Sequence, residues 1–124
     1  AQHNIDSQWR LMAQVMNGST LMGYRIVYAD FTAWYLATRF KQNNHSVTFR
    51  YDFWEVIEDD MMPNDQNNSD GESYTIAWRY QWNKHWEFGA EYHYTSNWAQ
   101  NRLQLNMPTH IDQSQSKLVL AYSF

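Results

Sequence analysis

The stretch SYTIAWRYQW (residues 73–82) decides the fold, because its apolar residues fall at every second position. Successive side chains of a β-strand point to opposite faces, so this alternation predicts a strand with one apolar face. Small or polar residues occupy the intervening positions. The apolar-face residues are Tyr74, Ile76, Trp78, Tyr80 and Trp82.

The next segment repeats the alternation and predicts a hairpin. A short polar turn at residues 83–85 leads into residues 86–94, where apolar side chains again alternate with polar ones. A slip of one residue would move every ring to the other face, so the register is strongly specified. With Trp82 opposite Trp86, the predicted pairs are Tyr80–Phe88, Trp78–Ala90, Ile76–Tyr92 and Tyr74–Tyr94.

The whole chain is predicted to be one all-β domain of about six antiparallel strands. Short turns at 41–44 and 83–85 alternate with long polar stretches at 17–29, 58–72 and 97–113, which are predicted as loops. The short turns therefore share one end of the sheet and the long loops share the other. The predicted strands lie near residues 8–16, 29–40, 45–57, 73–82, 86–97 and 114–124.

Composition excludes several classes of protein. The 124 residues contain no cysteine, which excludes disulfides and thiolate chemistry. A formal charge of −4 argues against a nucleic-acid partner. The longest apolar runs are five residues, as at 33–37, whereas a membrane-spanning helix needs about 20. Aromatic residues nevertheless make up 18% of a chain whose mean hydropathy is −0.76.

Six aromatic-rich strand faces need a covering, either a second sheet in water or lipid in a membrane. A spanning strand needs about 9–11 tilted residues, which the predicted strands provide. Aromatic rings are also expected to collect at the membrane interfaces. One such girdle is predicted at the short-turn end, from Phe40, Trp82, Trp86 and Phe124.

The final residues carry the pattern of a known family. Leu118, Leu120, Tyr122 and Phe124 alternate to the last position. With the short-turn and long-loop asymmetry, this resembles the C-terminal region of a Gram-negative outer-membrane β-barrel of the porin type. The resemblance implies an up-and-down transmembrane barrel in the bacterial outer membrane, short turns facing the periplasm, and an assembly signal at these four residues that the barrel-assembly machinery reads.

Six strands are too few to close such a barrel, whose smallest single-chain form has eight. An open edge in lipid leaves backbone groups unpaired, at a cost of several kcal/mol each. We therefore expect the chain to be the last part of a larger barrel, or to pair with other chains, with the lipid bilayer as its second partner.

Charged residues on the polar side of the predicted strands indicate a pore. They would line a water-filled lumen and set solute preference through their local field. The alternative is that they form salt bridges that only stiffen the wall. The predicted lumen-facing residues are Arg10, Arg39, Arg50, Asp52, Arg79, Glu87, Glu91 and Lys117.

No catalytic residue, cofactor or metal site is predicted. The five histidines show no paired ligand spacing. The acidic stretch 58–72 places Asp70 where a calcium loop of the helix–loop–helix kind needs glycine, so a solvated surface loop is predicted there.

The sequence thus predicts an outer-membrane channel segment through which small hydrophilic solutes diffuse. Two alternatives stay open at this point. One is a structural or docking barrel that encloses or assembles with partner proteins. The other is a soluble, aromatic-faced β-sandwich that binds carbohydrate.

Overall fold

The computed structural model describes residues 1–22, 27–60 and 67–124. Within them the chain forms one seven-stranded antiparallel sheet, in which each strand pairs with its neighbours in sequence. The predicted all-β, up-and-down arrangement is therefore confirmed. The strands are β1 (Gln2–Asn4), β2 (Trp9–Met22), β3 (Val27–Gln42), β4 (His45–Asp60), β5 (Ser69–Gln81), β6 (Trp86–Ala99) and β7 (His110–Tyr122), with a 3-10 helix at Gln100–Arg102.

The sheet is open and is not closed into a barrel. On one side β1 and Ala1 cover β2 only as far as Ala13. On the other side β7 pairs with β6 and with no further strand of the described chain. Both outer strands therefore present rows of unpaired backbone N–H and C=O groups, which is the usual template for another strand.

The predicted hairpin register is confirmed, with Tyr80 opposite Phe88 and Tyr74 opposite Tyr94. Its turn is held by Asn83, whose Oδ1 accepts hydrogen bonds from the backbone N–H of His85 at 2.8 Å and of Trp86 at 3.0 Å. A side chain that replaces a backbone partner in this way is the reason that Asn favours turns.

The other two short turns also depend on short polar side chains. Asp6 Oδ1 accepts hydrogen bonds from the N–H of Gln8 at 2.6 Å and of Trp9 at 2.8 Å. Asn43, between β3 and β4, has φ 52°, a left-handed conformation that Asn tolerates. All three turns lie at one end of the sheet, here called the short-turn end, and the opposite end is the long-connection end.

The strands extend further toward the long-connection end than the sequence predicts. β2 continues to Met22, where a loop was predicted from residue 17, and β4 continues to Asp60. In these extensions polar residues such as Asn17 and Asp59 share a face with the rings, so the apolar alternation disappears while the backbone ladder continues. The seventh strand, β1, has three residues and no apolar alternation, which is why the sequence did not predict it.

The registers assign every strand residue to one of two faces, because directly opposite residues of an antiparallel pair share a face. One face, the apolar face, carries the rings named above. The other, the polar face, carries every Lys and Arg of the described strands. These are Arg10, Arg39, Lys41, Arg50, Arg79 and Lys117.

The apolar face is uncovered. Ala29 and Ala37, each 3% exposed, are the buried apolar residues of the described chain, whereas Ile76 is 50% exposed and Leu118 is 91% exposed. No second layer of the described strands lies against this face. Soluble monomers rarely leave so large an apolar surface open to water. No helix in the described ranges has the length and apolarity needed to cross a membrane.

On the polar face, aromatic rings lie across two glycines. Trp54 lies directly opposite Gly71, and a Cβ at position 71 would fall 2.2 Å from Trp54 Cζ2. Phe31 covers Gly18 in the same way, with its Cζ 2.9 Å from the corresponding Cβ position. Glycine in a strand often marks such a close approach.

We expect Gly71→Ala to lower the free energy of unfolding by about 1–3 kcal/mol, because the new methyl group forces the Trp54 ring off the backbone. Denaturant titration followed by circular dichroism measures the loss. In a Trp54→Ala background there is no ring to displace, so the cost of Gly71→Ala should disappear. An equal cost in both backgrounds would contradict the ring-on-glycine contact.

Candidate functional site

The candidate site is a groove on the polar face of β4 to β7. It has a volume of about 690 Å³ and is lined by polar-face residues alone, so this side of the sheet is concave there. All eight charged residues that the sequence predicts to be lumen-facing lie on the polar face. Five of them line the groove: Arg50, Asp52, Arg79, Glu91 and Lys117.

Glu91 links the two strands on either side of it. Its Oε2 lies 3.4 Å from Arg79 Nη2, and its Oε1 lies 3.7 Å from Lys117 Nζ. Arg79 also lies 3.7 Å from Glu87. Arg79 crosses directly over Gly89, where a Cβ would fall 2.6 Å from Arg79 Cδ, so the glycine leaves room for this bridge.

Asp52 is held by Arg50 on the same strand. Arg50 Nε donates to the two carboxylate oxygens at 2.8 and 2.9 Å, and Ser73 Oγ lies 3.5 Å from the same carboxylate. The Arg50 Cζ atom also lies 4.1 Å from the centre of the Tyr35 ring, a cation–π contact. The cation and the anion of this pair therefore have fixed directions in the groove.

His93 lies in the groove with both ring nitrogens engaged. Thr75 Oγ1 is 2.8 Å from Nδ1, and Thr95 Oγ1 is 2.8 Å from Nε2. A metal-binding imidazole needs one free nitrogen, so this arrangement favours a structural role. Across the described ranges, no group of three or more His, Asp or Glu side chains could hold a metal ion.

The stretch 58–72 is anchored at its base. Glu58 Oε2 accepts hydrogen bonds from the Asn67 backbone N–H at 2.8 Å and from Asn67 Nδ2 at 2.7 Å. Asp70 belongs to β5 rather than to a loop. Residues 61–66, on which part of the loop prediction falls, lie outside the described residues.

The four residues predicted as an aromatic girdle lie at the short-turn end. The Phe40 ring is 4.8 Å from Trp9, and the Trp86 ring is 4.8 Å from Tyr122. Phe124 meets Tyr122 edge to face at 5.2 Å, and Trp82 lies 5.9 Å from Phe88. Leu118 and Leu120 continue this surface along the apolar face of the edge strand β7.

A second row of rings crosses the apolar face further toward the long-connection end. Tyr51, Tyr74 and Tyr94 lie opposite one another on β4, β5 and β6, with ring centres 5.0 and 6.5 Å apart. Tyr51 Oη donates to Glu72 at 2.7 Å, and the Tyr94 hydroxyl is paired with Asp112. The rings thus face the apolar residues, while the hydroxyl groups point toward carboxylates beyond them.

Beyond this row the apolar face becomes acidic. Glu55 and Asp70 lie directly opposite each other, an arrangement of like charges that destabilises a sheet. No Lys or Arg of the described strands shares this face to offset them. The acidic residues of this rim are Asp30, Glu55, Asp59, Asp70, Glu72 and Asp112.

Between the two aromatic rows lies the apolar band, which runs from Trp9 to Val15 on β2 and from Leu118 to Phe124 at β7. Residues that lie directly opposite one another on successive strands form a row across the sheet. The row that contains Val15 on β2 reaches Asp112 on β7 after five steps from strand to strand. The band on β7 begins at Leu118 instead, six residues further along. Its upper limit is therefore shifted between β2 and β7, although Tyr51, Tyr74 and Tyr94 share one hydrogen-bonded row.

The lower boundary slants by the same amount. The row of Trp9 reaches Leu118, while the band continues to Phe124, again six residues further. A strand rises by about 3.3 Å per residue, so a shift of six residues is about 20 Å. Neighbouring strands lie about 4.8 Å apart, so five steps cover about 24 Å. The boundary therefore makes an angle of about 40° with the rows. The two boundaries slant in the same direction, and the band spans six residue steps on β2, from Trp9 to Val15, and eight on β5, from Tyr74 to Trp82.

Sequence reasoning missed parts of the polar face. Lys41 was placed in a turn, but it belongs to β3 and follows Arg39 on the same face. Only the continued period of two from Arg39 could have indicated this. The predicted register already places Thr75 opposite His93, and Thr95 follows His93 on the same face, but the sequence does not show that both hydroxyl groups reach the ring nitrogens.

We expect Glu91→Gln to lower the free energy of unfolding by less than about 1 kcal/mol, because the ion pairs it breaks are partly exposed and screened by water. Glu87→Gln, which removes one distant partner rather than two, is the matched control and should cost less. Denaturant titration in low and in high salt measures both, and the difference should shrink in high salt. A loss of several kcal/mol that salt does not change would show that the network mainly stiffens the sheet.

Comparison with protein-family models, with curated proteins and with solved structures finds no match to this chain. The function of the chain must therefore be inferred from two features of its geometry, the apolar band on one face and the charged, concave groove on the other.

Proposed function

We propose that this chain forms part of the wall of a transmembrane β-barrel in the bacterial outer membrane, and that its polar face lines a pore for small hydrophilic solutes. The observation that carries the proposal is the apolar band, with aromatic rings at its boundaries and a slope of about 40° between β2 and the end of the chain. Strands of outer-membrane barrels tilt by about 35–45°, and aromatic girdles flank their lipid-facing band.

The band is widest on β5 and β6, where its width comes close to that of a bilayer. On β5 it runs from Tyr74 to Trp82, which is eight steps, or about 26 Å along the strand. At the slope above, this corresponds to a height of about 20 Å, close to the apolar band of about 25 Å in outer-membrane barrels. The tyrosine hydroxyls that point away from the band suit the boundary with the polar head groups.

A soluble carbohydrate-binding sandwich is less well supported. A sandwich covers its apolar face with a second sheet, and the described residues form a single sheet. Carbohydrate binding also does not require that the aromatic surface end at two boundaries that slant in the same direction across the strands. A planar slab of lipid crossed by tilted strands produces both boundaries.

The two open edges support further strands as partners. In hydrocarbon, the unpaired backbone groups of β7 and of β2 beyond Ala13 would cost several kcal/mol each. We propose that remaining strands of the same barrel, or strands of other chains, pair with these edges. The exposed apolar surface of β7, from Leu118 to Phe124, would be the part that the barrel-assembly machinery reads.

The polar face favours a pore over a sealed structural barrel. Its groove is open, and it contains both cations and carboxylates held in fixed directions by one another. Rings of charged side chains set the ion preference of water-filled pores through their local field. No catalytic residue is part of this proposal.

In the assembled barrel, we expect stepwise conductance in planar lipid bilayers. Under a salt gradient, Glu91→Lys should shift the reversal potential toward anion preference, because it reverses a charge in the groove. Glu72→Lys makes the same charge change on the apolar face and is the matched control, with a much smaller shift expected. If the barrel never conducts, the pore hypothesis is contradicted and the structural or docking barrel remains. Equal shifts in both variants would contradict the assignment of the two faces.

A further inference from the structure

Three cations meet at the short-turn end of the polar face without a carboxylate to neutralise them. Arg10 on β2 lies directly opposite Arg39 on β3, and Lys41 follows Arg39 on the same face. We call these three residues the basic cluster. Like charges placed directly opposite each other in a sheet destabilise it, so this arrangement needs a compensating partner.

The chain itself does not supply that partner. Within residues 1–22, 27–60 and 67–124, no carboxylate lies at ion-pair distance from any of the three cations. Arg10 Nε donates a hydrogen bond to Asn4 Oδ1 at 3.0 Å. Because Asn4 is neutral, this bond leaves the positive charge of Arg10 uncompensated. The guanidinium of Arg39 and the ammonium of Lys41 form no ion pair in the described chain.

Asp6 is the carboxylate that lines the same cavity as the three cations. Its Oδ1 accepts hydrogen bonds from the backbone N–H groups of Gln8 and Trp9, which hold it in the turn between β1 and β2. It lies at ion-pair distance from none of the three cations. One negative charge therefore stands beside three positive ones, and the site keeps a net positive charge.

The cavity lies between the cluster and this turn. Its volume is about 210 Å³, and its lining includes all three cations together with Asn4 and Asp6. One water molecule occupies about 30 Å³ of the liquid, so the cavity has room for a small hydrated oxyanion. Arg guanidinium groups present paired N–H donors that match two oxygens of a phosphate or carboxylate.

We infer that the basic cluster of Arg10, Arg39 and Lys41 is a binding site for a small oxyanion of the phosphate class. A dianion suits three neighbouring cations better than a monovalent carboxylate does. The site lies on the face opposite the apolar band, so its ligand comes from solution rather than from a lipid head group. The inference uses only the polar face and does not depend on the pore proposed above.

The test is a titration of the assembled protein that contains this chain and its partner strands, in uncharged detergent micelles, with inorganic phosphate at constant ionic strength. Phosphorus NMR line broadening gives the dissociation constant. We expect Arg39→Gln to weaken phosphate binding at least about tenfold, because it removes a charge-assisted bidentate contact. Arg39→Lys, which keeps the charge but not the paired donors, should give an intermediate loss.

Lys84→Gln is the matched control. It removes one positive charge from the turn between β5 and β6, at the same end of the sheet and outside the cluster, so phosphate binding should change by less than about twofold. If Arg39→Gln does not fold, Lys41→Gln takes its place, with a loss of at least about threefold expected. Equal dissociation constants for the wild type, the cluster variant and Lys84→Gln would overturn the inference.

A second measurement separates ligand binding from a structural role. In chloride without phosphate, Arg39→Gln should be at least as stable to denaturant as the wild type, because the repulsion from Arg10 is gone. Addition of phosphate should raise the unfolding midpoint of the wild type above that of the variant. A variant that is less stable already in chloride would contradict the inference. So would stabilisation by micelles of anionic phospholipid when free phosphate has no effect.

Discussion

The structure depends on one constraint: a single-layer sheet carries a wide apolar face, and no other part of the described chain covers it. Backbone hydrogen bonds between neighbours hold the strands in register, and that register sends every ring of the hairpin at residues 73–94 to one side. The same register sends every Lys and Arg of the described strands to the other side. Water suits the charged face and not the aromatic one.

The shape of the apolar band helps to distinguish the two possible coverings of this face, a second protein layer and lipid. A second protein layer has an irregular outline set by its own side chains. Both boundaries shift by six residues between β2 and the end of the chain, which is the pattern expected where tilted strands cross a slab with flat surfaces. In the proposed membrane, the hydrocarbon ends at the acidic rim beyond Tyr51 and Tyr94, because carboxylates such as Glu72 and Asp112 require water or partners.

The sequence predicts the part of this fold in which apolar residues alternate, and it fails where they do not. The pairing of Tyr74 with Tyr94 was predictable because a one-residue slip would place rings among charges and because the short turn at residues 83–85 fixes the register. The extension of β2 beyond Val15 was not predictable, because Asn17 and Ser19 occupy the ring-bearing side there and carry no period-two signal. Strand pairing continues through them because the ladder is made by the backbone and needs no apolar side chain.

The charged groove was likewise predictable only in part. The period of two was enough to place Glu91 and Arg79 on one face, since facing direction follows from parity alone. It could not show that Glu91 reaches both Arg79 and Lys117, or that Gly89 leaves the space for Arg79 to cross. Such contacts depend on side-chain conformations and on the exact row in which three strands meet. The opposition of Arg10 and Arg39 likewise needs the register of β2 against β3.

The central claim is that hydrocarbon covers the apolar face. The chain has no cysteine, so single cysteines at successive positions of β5 can each carry one nitroxide spin label in the membrane-reconstituted protein. The account predicts that labels at Tyr74, Ile76 and Trp78 collide with oxygen dissolved in lipid, and that labels at Thr75, Ala77 and Arg79 collide with a water-soluble nickel complex. Labels at the even-numbered positions that are shielded from both reagents, or that collide only with the nickel complex, would contradict it.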